Sequence, residues 1–342
     1  MRMKAVAYSI KPFEKEFLAK ANQKKHDITL ISNPLSLDTV SFAEGKNAVI
    51  VFSNDDVSAP VIEKLAALGI KYIATRTADT EHIDTASATR LGIKISNVPS
   101  YPPDAIAEHA VALAFALNRH LITADQHSHL FDFRNDDLVG FNFADKTVGI
   151  IGMGNIGQLV SKIFSGLGCK VLGYDIHYPE TAQYAERVTL ANLLTSADII
   201  SLHVPLTPFT RHIINKDTLD QMKDGVMLIN TSKGAVIDTI DVMEALDSGK
   251  IGYLGLDVYE YENGLFFEDH EDDTIKDTVL QTLMRHKNVL VTPHQAYLTK
   301  ETLQTIANQT ISNLDLWQQN KCVGDACVCS KNCQAIPVNK KE

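Results

Sequence analysis

Along the first hundred residues, short apolar runs alternate with segments whose apolar positions recur at helical spacing. MKAVAYS, DITLIS, AVIVFS, YIATRT and KISNV read as strands, while segments 13–22 and 57–68, the latter closed by Gly69, read as helices. Alternation of this kind builds parallel strands joined by crossover helices, and hence a doubly wound α/β domain. No glycine-rich phosphate turn occurs in this part, so it is not expected to hold a nucleotide.

The stretch VPSYPPDAI at 98–106 carries three prolines and reads as the crossing into a second domain. Asp104 is placed to cap a following helix over 105–121, which is apolar around nearly its whole girth. Such a helix must be buried on several sides, and a subunit interface would provide one of them. A polar run over 127–142 then leads to the next strand.

The pattern is most informative at 147–175, TVGIIGMGNIGQLVSKIFSGLGCKVLGYD. A β-branched apolar run ends in a G-x-G-x-x-G turn, Gly152, Gly154 and Gly157. Leu159, Val160, Ile163, Phe164 and Leu167 follow at helical spacing, and a second apolar strand ends in Asp175. The first glycine permits a tight turn, the second lets backbone approach a pyrophosphate, and the third packs helix against strand. The N–H groups and dipole of the helix N-terminus then hold the phosphates. Asp175 can accept hydrogen bonds from both hydroxyls of an adenosine ribose and would repel a 2′-phosphate. With no arginine directly after it, NAD is favoured over NADP. A bare glycine pattern is often only a turn; strand, turn, helix, strand and terminal acid together favour the cofactor.

Beyond Asp175 the alternation continues. IISLHV, VMLINTS, YLGLDV and NVLVTPH read as strands, and 190–196, 216–222 and 240–246 as short helices, enough for a complete dinucleotide-binding sheet. A last helix over 299–319 carries Leu303, Ile306, Ile311, Leu314 and Trp317 on one face and is expected to return to the first domain. Residues 1–100 and 297–342 would then form a discontinuous substrate domain, with 101–296 as the NAD-binding domain.

Composition adds exclusions. The 342 residues suffice for two cores, and a formal net charge of −10 argues against a nucleic-acid partner. The apolar run at the start is too short for a signal peptide. Glu108 and His109 interrupt the best membrane-span candidate, so a cytoplasmic protein without membrane attachment is expected. Of five cysteines, only Cys169 falls in the expected folded body; Cys322, Cys327, Cys329 and Cys333 crowd the tail. Their spacing matches no common zinc site, so no metal is expected and the tail reads as disordered, with reactive thiols.

Ligands of open α/β sheets bind beyond the carboxyl ends of the strands. Reading off those ends gives His203-Val204-Pro205, Thr231-Ser232-Lys233-Gly234, Asp257 with Glu260 and Glu262, and His294. Any one of these alone could be a solvated loop residue; together they place an imidazole, carboxylates and a cation on one edge. Reduction of a keto acid by a nicotinamide cofactor needs such a set. A histidine can donate the proton, a carboxylate beside it favours the imidazolium and orients the ring, and a cation holds the substrate carboxylate.

At these residues the chain resembles the D-isomer-specific 2-hydroxyacid dehydrogenases, most closely their fermentative D-lactate branch. The resemblance rests on GMGNIG at 152–157, Asp175, SLHVPLTP at 201–208, INTSKG at 229–234, LDVYEYE at 256–262 and VTPHQA at 291–296, and runs to about residue 321. It implies a Rossmann NAD domain inserted in a flavodoxin-like substrate domain. It further implies His294 as general acid/base, Glu262 as its carboxylate partner and Glu260 as a bystander. Asn155 and Ile156 would contact the pyrophosphate; Val204, Pro205, Thr210, Thr231, Ser232 and Asp257 would complete the cofactor site.

Two positions depart from the family pattern. The catalytic cation, an arginine in the family's NTSRG, is here Lys233. The loop after YIATRT, which usually offers a glycine amide to the substrate carboxylate, has Ala78-Asp79. Tyr101 matches a pocket aromatic of the lactate branch and Tyr297 sits where that branch often has phenylalanine; interdomain packing would explain either equally well.

The resulting expectation is a homo-oligomeric, NAD-dependent D-2-hydroxyacid dehydrogenase that reduces pyruvate to D-lactate. Two rivals remain. One keeps the chemistry on a bulkier or aromatic 2-keto acid such as phenylpyruvate, because Lys233 and Asp79 alter the carboxylate seat. The other is an NAD-binding redox sensor with poor turnover.

Overall fold

The computed structural model describes residues 2–271 and 276–328. The chain divides into two compact units, Met1–Pro102 joined by Leu298–Glu342, and Pro103–Tyr297. The first begins with β1 (Lys4–Ala7), α1 (Glu14–Asn22), β2 (Asp27–Leu30), β3 (Ala48–Val51), α2 (Ala59–Ala67), β4 (Tyr72–Thr75), α3 (Thr85–Arg90) and β5 (Lys94–Ser96). The second unit opens with α4 (Asp104–Asn118), α5 (Leu121–His129), β6 (Thr147–Ile151), α6 (Asn155–Gly166), β7 (Lys170–Tyr174) and β8 (Glu186–Arg187). It continues through α7 (Leu190–Ser196), β9 (Ile199–Leu202), α8 (Lys216–Asp220), β10 (Val226–Asn230), α9 (Thr239–Asp247), β11 (Ile251–Leu256), α10 (Thr278–Arg285) and β12 (Val289–Val291). Helix α11 (Lys300–Gln318) belongs to the first unit again.

In the first unit the strands run parallel in the order β2-β1-β3-β4-β5, the flavodoxin-like arrangement. Every residue of β3 is buried, which accounts for its unbroken apolar run: helices cover both faces of such a sheet. Helix α11 starts on Thr299, whose hydroxyl accepts from the Thr302 amide, and buries Leu303, Ile306, Ala307, Ile311, Leu314 and Trp317. The Trp317 ring stacks on Tyr72 with centroids 4.7 Å apart, so α11 is fastened directly over β4.

The tail after α11 differs from the expected disordered run of thiols. Val323 and Ala326 are buried, and Cys327 forms an antiparallel bridge to Ser96 on the outer edge of β5. An edge strand exposes unpaired backbone groups, and here the returning chain pairs with them. Cys329 and Cys333 lie outside the described residues.

The second unit carries a parallel sheet in the order β12-β11-β10-β9-β6-β7-β8. Counted from β6 this is the doubly wound 3-2-1-4-5-6 pattern with one further strand, and the order reverses between β6 and β9. Asp104 does not cap α4; it is the helix's first residue, where its charge complements the helix dipole. The helix expected to run to residue 121 stops at Asn118, because His120 adopts a left-handed φ of 48° and turns the chain into α5. No residue of α5 is buried, so it leaves no apolar stripe in the sequence pattern. Around it Leu121, Ile122, Leu130, Phe131, Phe133 and Val139 stand exposed. Among the described residues, no helix is long and apolar enough to cross a membrane.

Candidate active site

The glycine turn lies where the sheet order of the second unit reverses. Gly152 has φ of 98°, and a Cβ there would lie 2.3 Å from the His203 carbonyl oxygen. At Gly157 a Cβ would come within 1.9 Å of the Gly152 oxygen, so both positions tolerate only hydrogen. Gly154 is different: it is exposed and a Cβ would meet nothing within 4 Å. Backbone is thus bare at the start of α6, where Asn155 is exposed and Ile156 half-buried. That cradle fits a pyrophosphate.

Asp175 closes the same turn from the end of β7. Its carboxylate accepts from the Met153 amide at 2.7 Å and from the His177 amide at 2.8 Å. After β9, the Thr210 hydroxyl donates to the Pro205 carbonyl at 2.6 Å and accepts from the Thr207 amide at 2.8 Å, rounding off the loop that starts at Val204. Burial pushes the His203 imidazole down to about 3, so it is neutral, with Nε2 2.8 Å from the Ser201 hydroxyl. His203 Nδ1 and Thr231 Oγ1 are buried with no partner among the described residues. Orphaned polar atoms beside a bare glycine backbone fit a dinucleotide that supplies the missing hydrogen bonds.

The chemical groups gather at the carboxyl ends of β10, β11 and β12. His294 Nδ1 lies 2.9 Å from Glu262 Oε1, and Glu262 Oε2 accepts from the Tyr259 amide at 3.1 Å. Both oxygens of Glu262 are therefore engaged. The ring is fixed in the tautomer with its proton on Nδ1, and Nε2 is left to exchange a proton. Glu260 points into a different network: it lies 2.6 Å from His212 Nε2 and accepts from the Thr239 hydroxyl at 2.8 Å.

His294 itself has φ of 52°, a left-handed conformation that costs about 1–3 kcal/mol for a residue with a side chain. Fully buried Asp257 holds it there. Its carboxylate accepts from the Gln295 amide at 2.9 Å, the Ala296 amide at 2.8 Å and the Thr292 hydroxyl at 2.6 Å. His109 of α4 stands 3.3 Å from the same carboxylate and 3.0 Å from the Thr292 hydroxyl. The Phe267 ring packs on the imidazole, centroids 5.5 Å apart.

Lys233 follows β10. Fully buried Asn230 accepts from the Ser232 amide and hydroxyl at 3.0 and 2.8 Å and donates to the Lys233 carbonyl at 2.9 Å, which sets the turn. The next residue must be Gly234, because a Cβ there would collide with the Tyr259 carbonyl at 2.2 Å. The backbone leading to Glu262 is thus pressed against the Lys233 turn. Burial pushes the Lys233 ammonium below the ordinary lysine range, and the negative charge of Glu262 opposes that shift.

Ala78, Asp79 and Tyr101 belong to the first unit; Tyr297 ends the second. The Asp79 carbonyl accepts from the Thr77 hydroxyl at 2.6 Å and the Ala78 carbonyl accepts from Asn97 Nδ2 at 2.7 Å. Burial raises the Tyr101 phenol above its usual range. Asn230, His109 and Phe267 are absent from the sequence-derived set. Asn230 had a signal, an amide at a strand end two residues before Ser232. His109 and Phe267 had none, since their partners are far away in sequence.

A profile of the D-isomer-specific 2-hydroxyacid dehydrogenase NAD-binding domain matches residues 111–296. The chain is 44% identical over 336 residues to D-lactate dehydrogenase kk1H of Curvularia clavata, covering 96% of this chain and 97% of that one. It is 43% identical over 316 residues to D-lactate dehydrogenase of Escherichia coli, covering 91% and 96%. The solved structure of the pyruvate reductase of Chlamydomonas reinhardtii superposes with a TM-score of 0.91 at 42% identity, covering 94% of this chain and 98% of that one. With matches across nearly its whole length, the chain belongs to the D-isomer-specific 2-hydroxyacid dehydrogenases and is an NAD-dependent oxidoreductase.

Proposed function

We propose that the enzyme reduces pyruvate to D-lactate with NADH in the cytoplasm, as a homo-oligomer. The observation that carries the chemistry is the His294–Glu262 pair beside Lys233, at the carboxyl edge of the sheet that holds the glycine turn. Bound NADH supplies the hydride. Gly154, Asn155 and Ile156 would hold its pyrophosphate and Asp175 its adenosine ribose, with the Asp175 charge disfavouring a 2′-phosphate. Val204, Pro205, Thr210, Thr231, Ser232 and Asp257 would complete the seat.

His294 would give its Nε2 proton to the carbonyl oxygen of the substrate as that carbon is reduced. Glu262 keeps the proton on Nδ1 and stabilises the imidazolium that must exist before transfer. Lys233 would hold the substrate carboxylate; the family resemblance assigns the Ala78–Asp79 turn, Tyr101 and Tyr297 to substrate binding as well. The names of the relatives favour pyruvate as substrate. The exposed apolar side chains on and after α5 favour self-association, since a monomer rarely leaves several large apolar groups together in water.

A second reading, a bulkier or aromatic 2-keto acid, is favoured by Lys233 and Asp79, which depart from the family's carboxylate seat. Steady-state NADH oxidation over pyruvate, 2-ketobutyrate, 2-ketoisocaproate and phenylpyruvate separates the two. The highest kcat/KM on pyruvate supports the proposal and the highest on phenylpyruvate supports the second reading. NADH binding without turnover on any of them would mark a redox sensor instead.

A further inference from the structure

The tail segment that pairs with β5 is one hydrogen-bonded step from the Ala78–Asp79 turn. The Asn97 amide donates to the Ala326 carbonyl at 3.0 Å, and the Val328 amide donates to the Ile95 carbonyl at 3.2 Å. Through its side chain Asn97 donates to the Ala78 carbonyl at 2.7 Å, while the Val98 amide donates to the Thr77 carbonyl at 2.9 Å. From the other side, fully buried Asn313 of α11 donates to the Ser96 hydroxyl at 3.0 Å and to the Asn97 carbonyl at 3.1 Å. The backbone of Asn97 is thus held by the tail and by α11, and its side chain holds the turn.

The orientation of Asn97 carries a cost. Its Oδ1 is buried with no partner among the described residues, so the amide leaves an acceptor unsatisfied while it keeps the bond to Ala78. An unpaired buried acceptor is unfavourable.

We propose that the tail segment 323–328 acts as an added edge strand that positions Asn97, and that Asn97 is a positioning residue for the substrate-carboxylate turn at Ala78–Asp79. The inference rests on the reading of that turn as part of the carboxylate seat. Backbone register, rather than any tail side chain, transmits the effect: the bonds at Ala326 and Val328 are main-chain bonds. Val328→Pro deletes one of them, and Val328→Ala keeps it.

The test uses full-length protein carrying Asn97→Ala, Val328→Pro, Val328→Ala or Asp79→Gly, with KM and kcat for pyruvate, NADH affinity by fluorescence and the thermal midpoint read on each. Asn97→Ala and Val328→Pro should raise the pyruvate KM by about three- to tenfold, the loss of one ordinary hydrogen bond. Under them kcat should stay within about twofold and NADH affinity should not change; Val328→Ala should match the parent in KM whatever it does to stability. If Asp79→Gly shifts the KM while Asn97→Ala and Val328→Pro lower only the thermal midpoint, the tail is a structural edge strand and the inference falls. If all four leave the KM untouched, the seat lies elsewhere, and the underlying reading of the turn falls with it.

Discussion

The two sheets share a doubly wound architecture, yet their carboxyl edges are built in opposite ways. In the second unit the chain leaves β6 through glycines, and Gly154 presents bare backbone to solvent. In the first, the corresponding edge is filled by the protein's own polar side chains. Asp55, almost fully buried, accepts from the Ser9 hydroxyl and the Leu35 amide at 2.7 Å and from the Phe52 amide at 2.6 Å. Burial pushes its carboxyl up, while those hydrogen bonds and the Arg76 charge pull it down. Arg76, also buried, donates to Glu14 at 2.9 Å and to the carbonyls of Tyr8 and Ser9 at 3.1 and 3.2 Å. One fold thus supplies a place for an anion in both units. In the second, small residues leave it to a ligand; in the first, an internal ion network occupies it.

Substitutions on the two edges should therefore separate activity from stability. The largest effect is expected from His294→Ala, which removes the proposed proton donor. Pyruvate reduction should fall by about a hundredfold to ten-thousandfold, the usual worth of a positioned acid, with NADH affinity and thermal midpoint close to the parent. Comparable loss of stability would show that His294 is structural, as Arg76 is held to be.

Arg76→Met is the opposite case. It leaves Glu14 and Asp55 as buried charges without their cation, and should destabilise the protein by about 3–5 kcal/mol in chemical denaturation. A denaturation midpoint equal to the parent's would refute the internal ion network as a stabilising device.

The glycine edge can be tested within one helix and its turn. Gly152→Ala forces a Cβ against the His203 carbonyl at φ of 98° and should weaken NADH binding by about tenfold or more. Gly166→Ala, in α6 with open space around it, should leave binding alone and stabilise slightly. Equal effects of the two on NADH titrations would mean that the turn geometry does not matter.

The smallest effect concerns Lys233. An arginine grips a carboxylate with two parallel donors, whereas an ammonium is a compact, strongly hydrated point charge. Lys233→Arg should lower the pyruvate KM by up to about tenfold, or ~1.4 kcal/mol. The sign of the pH dependence is also set. Burial lowers the ammonium's affinity for its proton, so its charge is lost earlier as pH rises, and pyruvate KM should climb on the alkaline side. Arginine stays protonated, so the variant should flatten that limb. If KM is worse on every keto acid tested, Lys233 is adapted to this site rather than a weakened arginine.

The contrast between the edges also explains what could be read in advance. The glycine turn, its flanking strands and Asp175 lie within 147–175, where each residue's role follows from its neighbours in sequence. Strand ends such as Thr231, Asp257 and His294 were likewise legible, because polarity resumes where an apolar run stops. Spacing alone left Glu260 and Glu262 equivalent; what separates them is which one faces His294 and which faces His212, and that depends on the path of a loop. The links from His109 to Asp257 and from the tail to Ser96 join residues far apart in the chain, and no local pattern announces them. Helix α5 leaves no sequence signal for a different reason: with no buried face it has no period to detect.

Whether this glycine edge and the His294 cluster together make a D-specific keto-acid reductase is decided by the product itself. Purified enzyme incubated with pyruvate and excess NADH should yield lactate of the D configuration alone, resolved by chiral chromatography, with one NADH oxidised per lactate formed. L-lactate, a racemic mixture, or NADH binding without any lactate would contradict it.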